Sequence, residues 1–233
     1  METNDVVKSY AAKAAQVSLF RSVYIWMTLA LVITGFVAMY VAKSTELVYT
    51  LAQNSLMFWG LLIAEIGIVW YLSARIFHMS FTKATILFIV YSILNGVTLS
   101  FIFMVYTAAS IASTFFITAG TFAVMAFFGY VTKKDLSKLG SILFMALIGL
   151  IIASLVNIFL HNSMMDLIIS YIGVLIFVGL TAYDTQKIKR LLSSDDIEIN
   201  ETTQKIALMG AMTLYLDFIN LFLYLLRILG DRK

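Results

Sequence analysis

The sequence contains no cysteine and no proline, and only two of its 233 residues are histidine. Without cysteine there is no disulfide, no thiolate nucleophile and no Cys-ligated zinc or iron–sulfur cluster, and two histidines leave little for a transition-metal site. Without proline, any unwound segment inside a helix has to use glycine. Charged residues are scarce as well, at 12% against about 25% in soluble domains. We therefore expect a membrane protein without a bound cofactor.

Apolar residues fill the sequence instead, at 61% of the chain. They form long continuous runs, which are typical of transmembrane α-helices, whereas strands of a membrane barrel alternate over segments of about ten residues. Counting about 20 apolar residues as one span predicts seven spans, at residues 22–42, 54–73, 84–106, 111–132, 139–160, 165–186 and 205–229. The predicted fold is all-α, a polytopic membrane protein with a single domain over residues 1–233.

Lysine and arginine predict the orientation of the chain. Residues 1–21 precede the first span without a cleavage site and are predicted to be a retained amino-terminal segment. Cytoplasmic loops carry an excess of positive charge, so we expect this segment and the long polar loop 187–204 to be cytoplasmic and the carboxyl terminus to be periplasmic or extracellular. Twelve of the sixteen cations then lie inside: Lys8, Lys13, Arg21, Arg75, Lys83, Lys133, Lys134, Lys138, Lys187, Lys189, Arg190 and Lys205.

The seventh span carries polar or small residues at spacings of three and four. Such spacing places them on one face of a helix whose other faces are apolar: Gly210, Thr213, Asp217, Asn220, Tyr224 and Arg227. The pattern predicts a central helix that is enclosed by the others and directs its polar face toward partners or a watery cavity. The alternative for Thr213, Asn220 and Tyr224 is ordinary contact between helices, at about 0.6 kcal/mol each.

Two aspartates are candidates for a functional pair. Asp217 lies in the middle of an apolar helix, where a charge costs about 2.5 to 3.5 kcal/mol and by default indicates a functional site. Asp184 lies near the inner end of the sixth span, which runs antiparallel to the seventh, so the two carboxyl groups can approach. Two close carboxylates cannot both ionise freely, and such a pair is sensitive to protons. The alternative for Asp184 is an interfacial carboxylate that pairs with Lys187 or Lys189.

The second span adds two further charges. Arg75 lies at its inner end, where it can either pair with the aspartates through charge-assisted hydrogen bonds or extend to lipid headgroups. Glu65 lies ten residues deeper, and because acids that face lipid at that depth are rare, we expect it to face a cavity. The alternative for Glu65 is a protonated packing residue.

Three stretches resemble the bacterial branch of the Bax inhibitor family: "FGYVTKKDLSKLGSILFMALIGLIIASLVNIFL", "YIGVLIFVGLTAYDTQKIK" and "GAMTLYLDFINLFLYLLRILG". The resemblance runs from about residue 20 to the carboxyl terminus and extends to uncharacterised enterobacterial inner-membrane members. It implies six helices around a central seventh, in the bacterial inner (plasma) membrane, and a pH-sensitive calcium leak.

The resemblance also implies roles for individual residues. Asp184 and Asp217 match a hydrogen-bonded pair that senses pH and would bind calcium weakly, and Arg75 matches an arginine that latches the pair in the closed state. Glu65 matches an acid near the proposed ion pathway. From their place on the polar face, we also expect Asn220 and Thr213 to line this pathway.

Two other functions compete with the calcium leak. One is a membrane regulator that transports nothing and binds other membrane proteins, including membrane proteases. The other is an intramembrane aspartyl protease, which also places one aspartate on each of two neighbouring helices. Such proteases carry Gly-x-Gly before the second aspartate and a later Pro-Ala-Leu motif, whereas Leu214, Tyr215 and Leu216 precede Asp217 here and the chain has no proline. We therefore do not expect an enzyme, and there is no basic aromatic platform for nucleic acid.

Overall fold

The computed structural model describes residues 2–194 and 197–233, and for residues 2–9, 45, 47, 51 and 52 it describes the backbone alone. Nine α-helices follow one another in this part of the chain. They are α1 (Glu2–Lys43), α2 (Thr45–Gln53), α3 (Ser55–Arg75), α4 (Phe81–Leu99), α5 (Ile102–Val105), α6 (Ala108–Val131), α7 (Ser137–Leu160), α8 (Ser163–Leu191) and α9 (Glu201–Leu229), with a 3₁₀ turn at Ile76–His78.

Seven helical segments among the described residues are long and apolar enough to span a membrane, as the sequence predicts. They are Tyr10–Lys43, Ser55–His78, Phe81–Val105, Ala108–Val131, Ser137–Leu160, Ser163–Leu191 and Glu201–Leu229. Each predicted span falls on one of these segments and extends beyond it by no more than one residue, at residues 54, 106 and 132. The protein is an all-α polytopic membrane protein.

Polar caps decide where three of the spans begin. Asn54 accepts a hydrogen bond from the backbone N–H of Met57 at the start of α3. Ser80 does the same for Lys83 at the start of α4, and Thr107 for Ser110 at the start of α6. Each cap satisfies a backbone donor that the first turn of a helix leaves without a partner.

The segments outside the predicted spans are more helical than their polarity suggests. Helix α1 is continuous from Glu2, so residues 2–21 are helical and lead directly into the first span. Helix α8 runs to Leu191 and α9 begins at Glu201, which leaves a shorter connection than the predicted loop 187–204; residues 195 and 196 of that loop lie outside the described residues.

The seventh span is the most buried of the seven. In its most apolar window 67% of the residues are buried, against 11% to 39% in the other six spans. A helix that was in contact with lipid on most sides would leave most of its side chains exposed, so this burial agrees with the prediction of an enclosed seventh helix.

The chain divides into two compact units. The first unit comprises residues 1–105 and 190–215, and the second comprises residues 106–189 and 216–233, so α9 contributes its first half to one unit and its second half to the other. The predicted single domain over 1–233 stays a prediction.

In the first unit, α4 packs against α1 and α3. Gly96 permits the close approach of α4 to α1, since a Cβ atom at this position would lie 2.8 Å from the backbone oxygen of Thr34 and from Val37 Cβ. The first half of α9 contributes Tyr215, whose ring packs edge-on against Phe88 and Tyr91 of α4 at centroid distances of 5.9 and 5.8 Å.

In the second unit, small residues also bring helices together. A Cβ atom at Gly129 of α6 would overlap the backbone oxygen of Ala182 in α8, and one at Gly173 of α8 would lie 2.7 Å from the ring of Tyr224 in α9. Phe218 of α9 contacts the rings of Phe115 and Phe122 in α6. These contacts hold α6, α8 and the second half of α9 against one another.

Candidate functional site

The structure brings Asp184 and Asp217 together in the second unit. Asp184 is 3% exposed and Asp217 is 5% exposed, and the two carboxyl groups lie within hydrogen-bonding reach of each other. Helix α8 presents Asp184 two residues after Ala182, where Gly129 lets α6 and α8 approach closely. The predicted pair is therefore a pair of buried, adjacent carboxyl groups.

The aspartate pair has few other partners. Asp217 Oδ2 is buried and receives no hydrogen bond from a donor among the described residues. The hydroxyl groups of Thr185, next to Asp184, and of Thr114 on α6 are buried and without a partner in the same part of the chain. Hydrogen bonding to water or protein is the rule for buried polar atoms, and these three oxygens of the second unit depart from it among the described residues.

The lysines proposed as partners of Asp184 have other contacts. Lys189 donates a hydrogen bond to the backbone oxygen of Tyr130 at 2.7 Å, and its ammonium lies 4.4 Å from the centre of the Tyr130 ring. Lys187 lies 5.9 Å from the centre of the Tyr183 ring, near enough to influence Asp184 electrostatically. Asp184 is a buried carboxyl group at 3% exposure, and its pairing with Lys187 or Lys189 near the membrane interface stays an alternative.

Glu65 lies in the first unit within a connected set of hydrogen bonds. The hydroxyl of Thr98 donates to Glu65 Oε1, and Asn95 Nδ2 donates to Glu65 Oε2 at 3.1 Å. The hydroxyl of Tyr215 donates to Asn95 Oδ1 at 3.0 Å. Glu65 is 8% exposed, and both of its oxygens have partners; that it faces a cavity stays a prediction.

The set continues from Tyr215 to α1. The hydroxyl groups of Tyr215 and Thr34 are 2.7 Å apart, and Thr34 donates to the backbone oxygen of Ser92 at 2.9 Å. Asn95, Tyr215 and Thr34 are not among the predicted site residues. The sequence gives little indication that Tyr215 belongs to the site. A tyrosine in an apolar helix resembles any other aromatic residue unless the partners of its hydroxyl are known.

Arg75 belongs to the first unit. Its side chain is exposed, and it lines an open cavity of about 460 Å³ together with Tyr71, His78, Met79 and Lys83. Arg75 is the last residue of α3, and that this end of the span faces the cytoplasm stays a prediction. Its role as a latch for the aspartates stays a prediction.

The other predicted pathway residues bond to their own helix. Thr213 donates to the backbone oxygen of Met209 at 3.1 Å, and Asn220 Nδ2 donates to the backbone oxygen of Leu216 at 2.8 Å. Tyr224 stacks on Phe177, with ring centres 5.9 Å apart, and the guanidinium of Arg227 lies 5.6 Å from the centre of the Tyr224 ring. The side chains of the polar face therefore do not form one hydrogen-bonded network.

A fixed metal centre needs more ligands than the pair provides. Among the described residues no group of three or more His, Asp or Glu side chains is placed to hold a metal ion. Two carboxyl groups can supply up to four oxygens, whereas calcium takes six to eight. A cation at Asp184 and Asp217 would have to take its other ligands from water or from carbonyl oxygens.

Seven apolar helices and a buried pair of acids define a polytopic membrane protein with an ionisable site inside its spans. The model of the family "Inhibitor of apoptosis-promoting Bax1" matches residues 16–233, and the chain belongs to this Bax inhibitor family.

Curated relatives agree with this assignment. Inner membrane protein YbhL of Escherichia coli K12 is 53% identical over 211 residues, which cover 91% of this chain and 90% of the relative. An uncharacterized protein of Borreliella burgdorferi is 46% identical over 209 residues, covering 89% of each chain. Uncharacterized protein RP147 of Rickettsia prowazekii is 46% identical over 213 residues, covering 91% of this chain and 88% of the relative.

Proposed function

We propose that this protein forms a pH-sensitive pathway through which calcium leaks across a bacterial inner membrane, and that Asp184 and Asp217 gate it. The observation that carries the proposal is the adjacency of these two buried carboxyl groups, with Asp217 Oδ2 lacking a donor among the described residues. Calcium as the permeant ion rests on the resemblance to the family. The inner membrane rests on the printed name of the Escherichia coli relative.

Proton binding would act on the pair through charge. A hydrogen bond between two carboxyl groups needs one proton, and its loss leaves two negative charges side by side in a medium of low dielectric constant. The charged pair attracts a divalent cation, and its oxygens supply part of a weak calcium site that lets the ion leave again. When the pair binds a proton, its negative charge falls and it attracts the cation less strongly. The calcium flux therefore depends on pH.

Other residues have assigned roles in this proposal. Arg75 latches the pair in the closed state, as an arginine does in the family that the chain resembles. Glu65, Asn220 and Thr213 line the pathway. The amino terminus and the loop 187–204 are cytoplasmic, and the carboxyl terminus is periplasmic or extracellular. The protein has no enzymatic activity and needs no cofactor.

Calcium flux into liposomes that contain the purified protein, measured across a range of pH, tests the proposal. Asp184→Asn and Asp217→Asn should each change the flux and flatten its pH dependence. Asp231→Asn is the matched control, because Asp231 is an exposed acid of the same unit near the carboxyl terminus. Wild-type flux and pH dependence in both pair variants would refute the gating role.

The same preparation distinguishes the rival functions. A wild-type protein that passes no ion at any pH and repeatedly co-purifies with another membrane protein would support the regulator. Cleavage of a transmembrane peptide by the wild type, and its loss in Asp217→Asn, would support the protease.

A further inference from the structure

Hydrogen bonds of the first unit form a series from Asn95 through Tyr215 and Thr34 to Ser92. This series has more oxygen–oxygen contacts than hydroxyl hydrogens to fill them. Three contacts link four oxygen atoms in sequence: Asn95 Oδ1 to the Tyr215 hydroxyl at 3.0 Å, Tyr215 to the Thr34 hydroxyl at 2.7 Å, and Thr34 to the Ser92 backbone oxygen at 2.9 Å. An amide oxygen and a carbonyl oxygen only accept, so the protons have to come from the two hydroxyl groups. Two protons serve three contacts, and one contact would hold two facing oxygens with no hydrogen between them.

Rotating the Asn95 side-chain amide by half a turn supplies the missing hydrogen. The oxygen and nitrogen ends of an asparagine side chain have the same shape, and their hydrogen-bond partners decide which end points where. With the NH₂ group directed at Tyr215, Asn95 donates to Tyr215, Tyr215 donates to Thr34, and Thr34 donates to the Ser92 oxygen. All three contacts then hold one proton each.

With the amide turned, the Asn95 side chain no longer donates a hydrogen bond to Glu65. Asn95 Oδ1 now faces Glu65 Oε2, at the 3.1 Å that separates the two side-chain atoms. Two oxygens at that distance need a proton between them, and an amide oxygen cannot supply it. Glu65 Oε1 already accepts from Thr98, which leaves Oε2 as the atom that must carry the hydrogen.

We infer that Glu65 is a proton-binding site. Its proton is donated to Asn95 and sets the direction of every hydrogen bond in the series from Glu65 through Asn95, Tyr215 and Thr34 to the Ser92 backbone oxygen. A protonated Glu65 accepts from Thr98 and donates to Asn95, and each of the five contacts holds one hydrogen. The proton connects α3, through α4 and the first half of α9, to α1. When the proton leaves, the amide turns back toward the carboxylate and one contact in the chain loses its hydrogen.

Among the described residues, the groups that act on Glu65 include no cation that would hold it ionised. The titratable groups that face it are the hydroxyl groups of Tyr91 from α4 and Tyr215 from α9, while α1 presents the neutral Thr34. Glu46 of the adjacent α2 is exposed. In the described part of the chain Glu65 forms no ion pair.

Glu65 and its partners belong to the first unit, whereas the aspartates belong to the second, and the proton site on Glu65 uses neither aspartate. It goes beyond the proposed function, and its test does not depend on the movement of calcium. A protein that passes no calcium can still hold a proton on Glu65.

Solid-state NMR of the full-length protein in lipid vesicles, with ¹³C-labelled glutamate side chains, tests the inference directly. The chain has five glutamates: Glu2, Glu46, Glu65, Glu198 and Glu201. At neutral pH we expect one protonated carboxyl resonance among the five, and its loss in Glu65→Gln. This variant should fold normally, because the NH₂ group of the new amide donates to Asn95 and its oxygen accepts from Thr98. Five ionised glutamates in the wild type would overturn the inference without any variant.

Tyr215→Phe tests the link between the proton and the amide. Without the Tyr215 hydroxyl, the Asn95 NH₂ group is free to turn toward Glu65 and stabilise the ionised carboxylate, so the protonated resonance should lose most of its intensity at neutral pH. Tyr91→Phe is the matched control, because its ring contacts Tyr215 but its hydroxyl is not part of the chain, and the resonance should remain. An unchanged resonance in Tyr215→Phe would overturn the proposed amide orientation.

Discussion

The carboxyl group of the first unit and the carboxyl pair of the second differ in how many partners they have. Both oxygens of Glu65 have a partner, and those partners connect onward to Tyr215, Thr34 and a backbone oxygen. Asp184 and Asp217 have chiefly each other, and Asp217 Oδ2 lacks a donor among the described residues. Both sites are buried in membrane spans, so burial alone does not explain the difference.

The difference indicates which site can respond to a ligand. A buried polar group without a partner costs about 1 to 3 kcal/mol, and three of the four such side-chain atoms among the described residues belong to the second unit, namely those of Thr114, Thr185 and Asp217. A cation or water that reaches these oxygens recovers part of that cost. A satisfied site gains nothing comparable, so we expect Glu65 to hold one state firmly and the aspartate pair to change state.

The largest predicted effect tests how rigidly each unit holds its helices. Gly129→Ala should lower the free energy of unfolding by about 3 kcal/mol, because the new Cβ overlaps a backbone oxygen of α8 that cannot move without displacing the helix. Gly96→Ala should cost about 2 kcal/mol, because its new Cβ would lie 2.8 Å from the Thr34 backbone oxygen, a milder overlap than that between a Cβ at Gly129 and the Ala182 oxygen. Unfolding in mixed detergent micelles measures both.

Gly120→Ala is the control for the glycine series. Gly120 lies on the same helix as Gly129 and has no atom within 4 Å of its would-be Cβ, so alanine there should stabilise the helix by up to about 1 kcal/mol. A Gly129→Ala protein as stable as Gly120→Ala would show that α6 and α8 are not in close contact beside Asp184.

Tyr215→Phe should have a smaller effect than Gly129→Ala and about the same effect as Gly96→Ala. It removes the hydroxyl that joins Asn95 to Thr34, and two buried groups lose a partner, so the free energy of unfolding should fall by about 2 kcal/mol. Tyr91→Phe, in the same aromatic cluster, should change it by less than half of that. Equal losses in the two variants would mean that ring packing, and not the hydrogen-bonded chain, stabilises the first unit.

Asp217→Asn should change stability less, and in a way that depends on pH. Raising the pH removes the proton that the pair shares and leaves two repelling charges, so the wild type should become less stable as the pH rises. An asparagine amide donates to Asp184 without needing that proton, and at mildly alkaline pH the variant should exceed the wild type by about 1 kcal/mol. Thermal unfolding across pH measures this, and parallel curves would show that the carboxyl groups do not share a proton.

The sequence is sufficient to predict the spans and the aspartate pair but not the series of hydrogen bonds that begins at Glu65. Length and apolarity decide the spans locally, and the acids at 184 and 217 are conspicuous because a charge in hydrocarbon is costly. Tyr215 is not conspicuous, since an aromatic residue in an apolar helix is ordinary. It lies about 200° around the helix from Asp217, outside the predicted polar face, and its partner Asn95 is 120 positions away. Only the folded chain brings such residues together.

The polar face of α9 shows a second limit of helical spacing. Spacing predicts that Thr213, Asp217 and Asn220 share a face, but it does not indicate whether their side chains bond across helices or to their own backbone. Thr213 and Asn220 bond to backbone oxygens four residues earlier, which a hydroxyl or amide in a helix does readily when no better partner is near.

Thr213→Val should therefore have the smallest effect. The hydroxyl bonds to a backbone oxygen of its own helix, and valine replaces it with a methyl group of similar size, so the free energy of unfolding should change by no more than about 0.5 kcal/mol. Stability and calcium flux together then separate two roles for this residue. If Thr213 lines the ion pathway, the flux changes while the unfolding curve stays that of the wild type. If both are unchanged, Thr213 only fills space in the seventh span; if stability falls by about 2 kcal/mol or more, roughly what a lost buried partner costs, its hydroxyl bonds beyond its own helix.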